Sequence, residues 1–338
     1  MKRTSLRGAV AAVLILAFGA SGARAEHVRV AITKLLGYPG VPIAIERGYF
    51  KDEGIDVEMI YLDSAQPIAI AVASGDADFG VAGLSASFYT LAAQGQLRLI
   101  ASSGGEAPGF HNLVFLGSNK AWDAGLRSPK DFPGHSVAIT QVGTSLHYSL
   151  GRAAMKFGYP LSAVTVKPLQ SNTNVIAALA GGVVDAAVMP SSPALPALAK
   201  GEAKLLGWVS EVAPDFSTGS ACFTSTKTAN DRGDLVKRFL VAYRKGMHDF
   251  HDAFVSADGK RQDGPDAPAV LAIMSRFTGI KPEALSETVP RVDAEARIST
   301  EDIARQVTWY KSENLLRGEV KVEELIDNRY AMPLIAGR

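Results

Sequence analysis

The sequence predicts an α/β protein made of two similar lobes. Three observations support this: short β-branched runs alternate with longer amphipathic stretches, the series recurs at a fixed spacing, and the tail after about Thr226 is helical without clear strands.

In the first series His27–Thr33 (HVRVAIT), Val57–Leu62 (VEMIYL), Phe79–Ala82 and Leu97–Ser102 read as strands, with helices at Val41–Phe50, Gln66–Ser74 and Ser85–Gln94 between them. The second series has strands at Ser136–Thr140 (SVAIT), Val164–Leu169, Ala186–Met189 and Lys204–Val209, separated by helices at Ser145–Phe157, Asn174–Gly181 and Ser192–Ala199. Strand–helix alternation at this spacing implies parallel sheets covered by helices on both faces. One constant offset relates the two series. Val30-Ala31-Ile32-Thr33 returns as Val137-Ala138-Ile139-Thr140, Gly75 and Asp78 return as Gly182 and Asp185, and Val57 returns as Val164.

In the tail, Asp231–Phe254 places Leu235, Phe239, Leu240, Tyr243 and Met247 at helical spacing. Asp258–Pro268 is a polar loop broken by Gly and Pro. Ala269–Thr278 and Thr300–Asn314 are further helices, the second opened by Ser299 or Thr300 as N-cap with Glu301 and Asp302 in its first turn. Helices alone form no third sheet, so the tail is expected to pack back on the first lobe. The predicted layout is residues 26–117 for the first part of lobe 1, 118–222 for lobe 2 and 223–338 for a helical return, with crossovers near Val114–Gly117 and Ser220–Thr226.

The N-terminus has the layout of a cleaved secretory leader. Lys2, Arg3 and Arg7 precede an apolar run from Gly8 to Ala20, and Ala23-Arg24-Ala25 supplies the cleavage motif. The run is too short to span a bilayer, which needs roughly 20 apolar residues. Cleavage after Ala25 is expected, through the general secretory route because no Arg-Arg pair is present. No cysteine lies near the site to take a lipid. Residues 1–25 are thus read as a signal peptide, and the product as periplasmic and freely diffusing.

The leader carries four of the 35 basic residues and no acidic ones, which leaves 31 basic against 34 acidic residues in the exported chain. That balance points to neither nucleic acid nor an anionic membrane as partner. Cys222 is the only cysteine, so no internal disulfide forms and the core must hold the fold.

Catalytic signatures are absent: the sequence has no G-x-S-x-G, H-E-x-x-H, Walker A or C-x-x-C motif. His248 and His251 share a helix face, a spacing that a surface position explains better than a metal site. No catalytic residue, metal or cofactor is assigned.

Several segments together resemble one family. ERGYFKDEGIDVE (Glu46–Glu58), the paired AVASGDADFGVAG (Ala71–Gly83) and ALAGGVVDAAVM (Ala178–Met189), SPKDFPGHSVAITQVGTSLHYSL (Ser128–Leu150) and ELIDNRYA (Glu324–Ala331) are similar to motifs of the nitrate/sulfonate/taurine-type periplasmic solute-binding proteins of ABC transporters. The resemblance covers nearly the whole exported chain and is specific in combination rather than motif by motif. It implies the two-lobed, type II periplasmic-binding-protein-like fold, with hinge-linked mixed or parallel sheets flanked by helices that close on a small-molecule solute. It also implies a monomer that docks on an ABC permease served by a cytoplasmic ATPase. A thiamine-precursor enzyme of the same family carries a cysteine-rich motif that this chain lacks, and a solute-sensing signalling protein is a third reading.

In open α/β sheets ligands bind beyond the carboxyl ends of the strands, where helix N-termini offer unpaired N–H groups. Five loops fall there, and they supply the predicted site: Lys34 and Tyr38; Gly83 and Ser85; Gln141, Gly143, Thr144 and Ser145; Asn172 and Asn174; Ser191 and Ser192. Ser85, Thr144, Ser145 and Ser192 are also natural N-caps, and Asn172 and Asn174 can cap the helix they open. Asp78 and Asp185 are read as shaping the turn into a strand. Neutral donors at helix N-termini suit an organic anion such as a sulfonate or carboxylate, with Lys34 adding charge and Tyr38, Phe88, Phe110 and Tyr148 accommodating an aromatic or alkyl body.

Overall fold

A computed structural model describes residues 25–334. The leader lies outside them except for Ala25. The first series runs β1 (Glu26–Ile32), α1 (Gly40–Glu46), β2 (Ile55–Tyr61), α2 (Ala65–Ser74), β3 (Phe79–Gly83), α3 (Ala86–Ala93), β4 (Leu97–Ser102) and β5 (Leu113–Gly117). The second runs β6 (Ser136–Ile139), α4 (Ser145–Phe157), β7 (Thr165–Pro168), α5 (Asn172–Ala180), β8 (Ala186–Pro190), α6 (Ser191–Ala199), β9 (Lys204–Trp208) and β10 (Ser220–Ser225). The tail holds three longer helices, α7 (Gly233–Phe254), α8 (Ala267–Thr278) and α9 (Thr300–Ser312).

These strands form two five-stranded sheets, ordered β2-β1-β3-β10-β4 and β7-β6-β8-β5-β9. The orders match position by position, and so does the register. Val30 faces Phe79 in the first sheet and Val137 faces Ala186 in the second, so both members of the pair shift by the offset of the sequence repeat. The fourth strand of each sheet is antiparallel and comes from the other half of the chain: Ser220 faces Gly83 and Leu113 faces Pro190.

That exchange corrects the sequence layout. Val114–Gly117 and Ser220–Thr226, expected as crossovers, lie almost wholly within strands. β5 was grouped with lobe 1 yet pairs in the second sheet, and β10, whose first three residues were grouped with lobe 2, pairs in the first. Every residue of β5 and β10 is buried, because each fills an interior slot of a sheet rather than spanning a surface gap.

The two aspartates of the repeat do the same structural work. Arg29 N–H donates to the Asp78 carboxylate and Ser136 N–H donates to that of Asp185, both at 2.8 Å. α7 lies on the first sheet, where Phe239 stacks on Phe79 with ring centroids 3.8 Å apart. α9 departs from the expectation that the tail packs on lobe 1 alone. Gln306 accepts from the Tyr89 hydroxyl of α3 at 2.9 Å, while Trp309 lies on α4 beside Tyr148, ring centroids 5.4 Å apart. The amphipathic face of α9 is wide enough to serve both lobes.

Candidate functional site

The carboxyl ends of β1, β3, β6 and β8 open on one cleft between the sheets. Small-molecule sites of α/β folds take this position. Its lining follows the internal repeat. Thr33 pairs with Thr140, Gly37 with Thr144, Tyr38 with Ser145 and Ala65 with Asn172; Gly83 pairs with Pro190, Asn112 with Gly219 and Leu113 with Ser220. Leu35, Asp63, Ser64 and Leu146 complete it.

Tyr38 is buried, and its hydroxyl accepts from Gly83 N–H at 3.0 Å. Burial pushes its phenol up to about 12, so it remains protonated and can still donate. A Cβ at Gly83 would lie 2.6 Å from Ser145 Oγ, across the cleft, so a side chain there would force that hydroxyl to turn away. Thr144 and Ser145 open α4, and neither the N-cap of α4 nor that of α2 (Ser64) makes a side-chain cap bond. The first N–H groups of α2, α4 and α5 have no acceptor within their helices, and these three N-termini meet at the cleft. Their dipoles favour negative charge there.

Of the residues predicted from sequence, Tyr38, Gly83, Thr144, Ser145 and Asn172 line the cleft. The others lie beside it. Lys34 places its ammonium over the Tyr61 ring, 4.3 Å from the centroid, instead of in the cleft. Ser85 is fully buried and caps α3 by accepting from Phe88 N–H at 3.1 Å. Gly143, at φ +77°, joins the lobes: its carbonyl accepts from Ala86 N–H at 2.7 Å, while its own N–H donates to His147 Nδ1 at 3.3 Å. Burial lowers the His147 pKa to about 4, keeping the ring neutral and able to accept. The Gln141 side chain turns to Gln170, 3.4 Å away, and Asn174 Nδ2 donates to the Leu169 carbonyl at 2.9 Å. Ser191 N–H donates to the Asn112 carbonyl at 2.9 Å, and Ser192 Oγ accepts from Leu36 N–H at 3.4 Å.

Sequence reasoning missed the Asp63-Ser64-Ala65 loop and the strand starts at Asn112-Leu113 and Gly219-Ser220. The repeat contained the signal, because Ser171-Asn172 carried back by the repeat offset falls on Ser64-Ala65. Cys222 is buried on β10 and its thiol pKa is raised by that burial, which fits a packing role.

The family described as NMT1/THI5 like matches residues 38–253. The chain belongs to this family. A Brucella abortus (strain 2308) protein named as a binding protein is 28% identical to this NMT1/THI5-like chain over 262 residues, 75% of each sequence. Among solved structures it is similar to the alkanesulfonate-binding protein SsuA from Xanthomonas axonopodis pv. citri bound to MOPS. That likeness has TM-score 0.71 and 19% identity, covering 89% of this chain and 98% of that one. It is also similar to the periplasmic nitrate-binding protein NrtA from Synechocystis PCC 6803, with TM-score 0.68 and 13% identity over 88% and 84% of the two chains. At such identities the likeness establishes the fold, which is that of the periplasmic binding proteins.

Proposed function

We propose that this NMT1/THI5-like protein is the periplasmic solute-binding component of an ABC importer. It closes its lobes on a small organic anion, a sulfonate or carboxylate, and delivers it to a membrane permease driven by a cytoplasmic ATPase. The observation that supports this best is the meeting of three helix N-termini with neutral hydroxyl donors in one inter-lobe cleft. The sulfonate- and nitrate-binding names of the structural neighbours agree with an anionic ligand. Titration calorimetry with short alkyl and aryl sulfonates and carboxylates, using the matching alcohols as controls, tests the reading. Saturable binding of an acid but not of its alcohol is expected. Equal binding of both, or of neither across the panel, overturns it.

A further inference from the structure

α9 makes contacts that the capture of a solute leaves unexplained. The chain returns from the second sheet to the first through residues 209–219, between β9 and β10. Every polar group of Thr218 on that path is held by α9 or its N-cap. Thr218 N–H donates to the buried Asp302 carboxylate at 2.7 Å, its carbonyl accepts from Gln306 Nε2 at 3.0 Å, and its hydroxyl oxygen accepts from Ser299 N–H at 3.1 Å. Gln306 also accepts from the Tyr89 hydroxyl, and the Tyr310 hydroxyl donates to the Leu84 carbonyl at 3.3 Å, both partners lying in lobe 1. Parting any of these would strand buried polar groups, so α9 is fastened to lobe 1 and to the returning chain.

Toward lobe 2 the contact is of another kind. Tyr148, Gly151, Arg152 and Met155 recur along one face of α4, and Trp309 of α9 lies against that face. The indole meets the rings of His147 and Tyr148 edge-on, with centroids 5.3 and 5.4 Å away, and fills the space beside Gly151. One carboxylate spans the seam: that of Asp215 lies 2.6 Å from Arg152 Nη2 of α4 and 3.3 Å from Arg305 Nε of α9. α4 also begins at the cleft, where Ser145 lines the wall. Ser145 and Gly151 ride on one helix, so drawing Ser145 away from lobe 1 also shifts Gly151 against Trp309. Both contacts are made in one structure, so cleft and seam close together.

We infer that the α4/α9 seam is a latch that holds the lobes closed, with Trp309, Arg152 and Asp215 as the residues that fasten it. The latch concerns lobe movement rather than solute chemistry, so it goes beyond the proposed function and is tested without solute.

Nitroxide labels introduced through Ile70→Cys and Ala177→Cys report the lobe separation by double electron–electron resonance. Both positions are exposed and repeat-equivalent, on α2 of lobe 1 and α5 of lobe 2, whose N-termini meet at the cleft. Cys222 is buried with its thiol pKa raised, so it stays unlabelled. The unliganded wild type is expected to show a short-distance population. Its ratio to the long-distance population should fall about threefold or more in Arg152→Gln, which removes the ion pair, and in Gly151→Ala, which wedges the helices apart. Val184→Ala trims a buried side chain of lobe 2 away from the seam; as the control it should lower thermal stability without changing the ratio. Arg152→Gln keeps the packing of the seam, so the test stands even if the Gly151 variant fails to fold. The latch is overturned if the wild type has no short-distance population, if Arg152→Gln leaves the ratio unchanged or raises it, or if Val184→Ala lowers it equally.

Discussion

Glu106 is fully buried where the chain first passes between the lobes, and its carboxylate accepts from Leu113 N–H at 2.8 Å and Asn112 N–H at 3.4 Å. Burial outweighs those two donors and pushes its pKa up to about 8. Between its ordinary value and about 8 the folded protein therefore holds a proton that the unfolded chain has lost. The associated stability is complete at low pH and is lost as pH rises through 8. His147 and Asp302, at about 4 and about 6, have largely finished titrating by neutral pH. Urea unfolding should show the wild type losing about 1 kcal/mol between about pH 7 and 8, while Glu106→Gln stays flat; parallel slopes would exclude Glu106 as the source. At the proposed anion seat, Thr144 Oγ1 donates to the Gln141 carbonyl at 2.8 Å, so its removal also loosens the loop. Ser145→Ala is the cleaner probe. It should weaken binding of a recognised acid by about 1–3 kcal/mol, the range for a hydrogen bond to a charged group, with little effect on unfolding. Unchanged affinity by calorimetry would remove the Ser145 hydroxyl from the anion seat.

At the scale of elements, α9 joins the two lobes through a close contact. A Cβ at Gly151 of α4 would collide with the Trp309 indole. Gly151→Ala should therefore cost about 1–3 kcal/mol, as overpacking does, and shift the tryptophan emission. Denaturant unfolding followed by fluorescence checks both, and wild-type stability would mean the helices can separate freely. The same scale shows what was legible in the sequence. Eight of the ten sheet strands were readable because their β-branched runs sit between amphipathic helices of ordinary length. β5 (LVFLG) and β10 (SACFTS) were not, because each follows another strand without a long helix between them and so stands outside the strand–helix alternation that marked the others. Comparing the halves would have found them, since β5 advanced by the repeat offset falls on β10. Local sequence also says little about which way a side chain turns. The lysine in the first loop looked like an anion partner until Tyr61 proved to be under it, and the glycine at 143 suited close ligand approach as well as the inter-lobe contact it makes. Asp63 escaped notice because a lone acid in a loop has no pattern.

At the scale of the whole molecule, the lobes touch around the cleft. Ala86 N–H bonds to the Gly143 carbonyl at 2.7 Å, Gln66 Nε2 to the Val142 carbonyl at 3.0 Å, and Leu36 N–H to Ser192 Oγ at 3.4 Å. If these contacts form as the lobes close, solute should lower the radius of gyration in small-angle scattering. Solute at 100 times its Kd should also stabilise the protein by about 2.7 kcal/mol. A ligand that stabilises without compaction would indicate a rigid pocket instead. The Gln66 bond offers a sharper test, because it lies at the rim, outside the cleft lining, and ties the first turn of α2 to the opposite lobe. Gln66→Ala should leave the association rate nearly unchanged, since solute enters the open form. Release requires reopening, so losing a bond worth about 0.5–1.5 kcal/mol should speed dissociation roughly two- to tenfold. Stopped-flow mixing of preloaded protein with a competitor separates the two rates. A variant that slows association and leaves dissociation alone would place the Gln66 contact on the entry path rather than in the closed state.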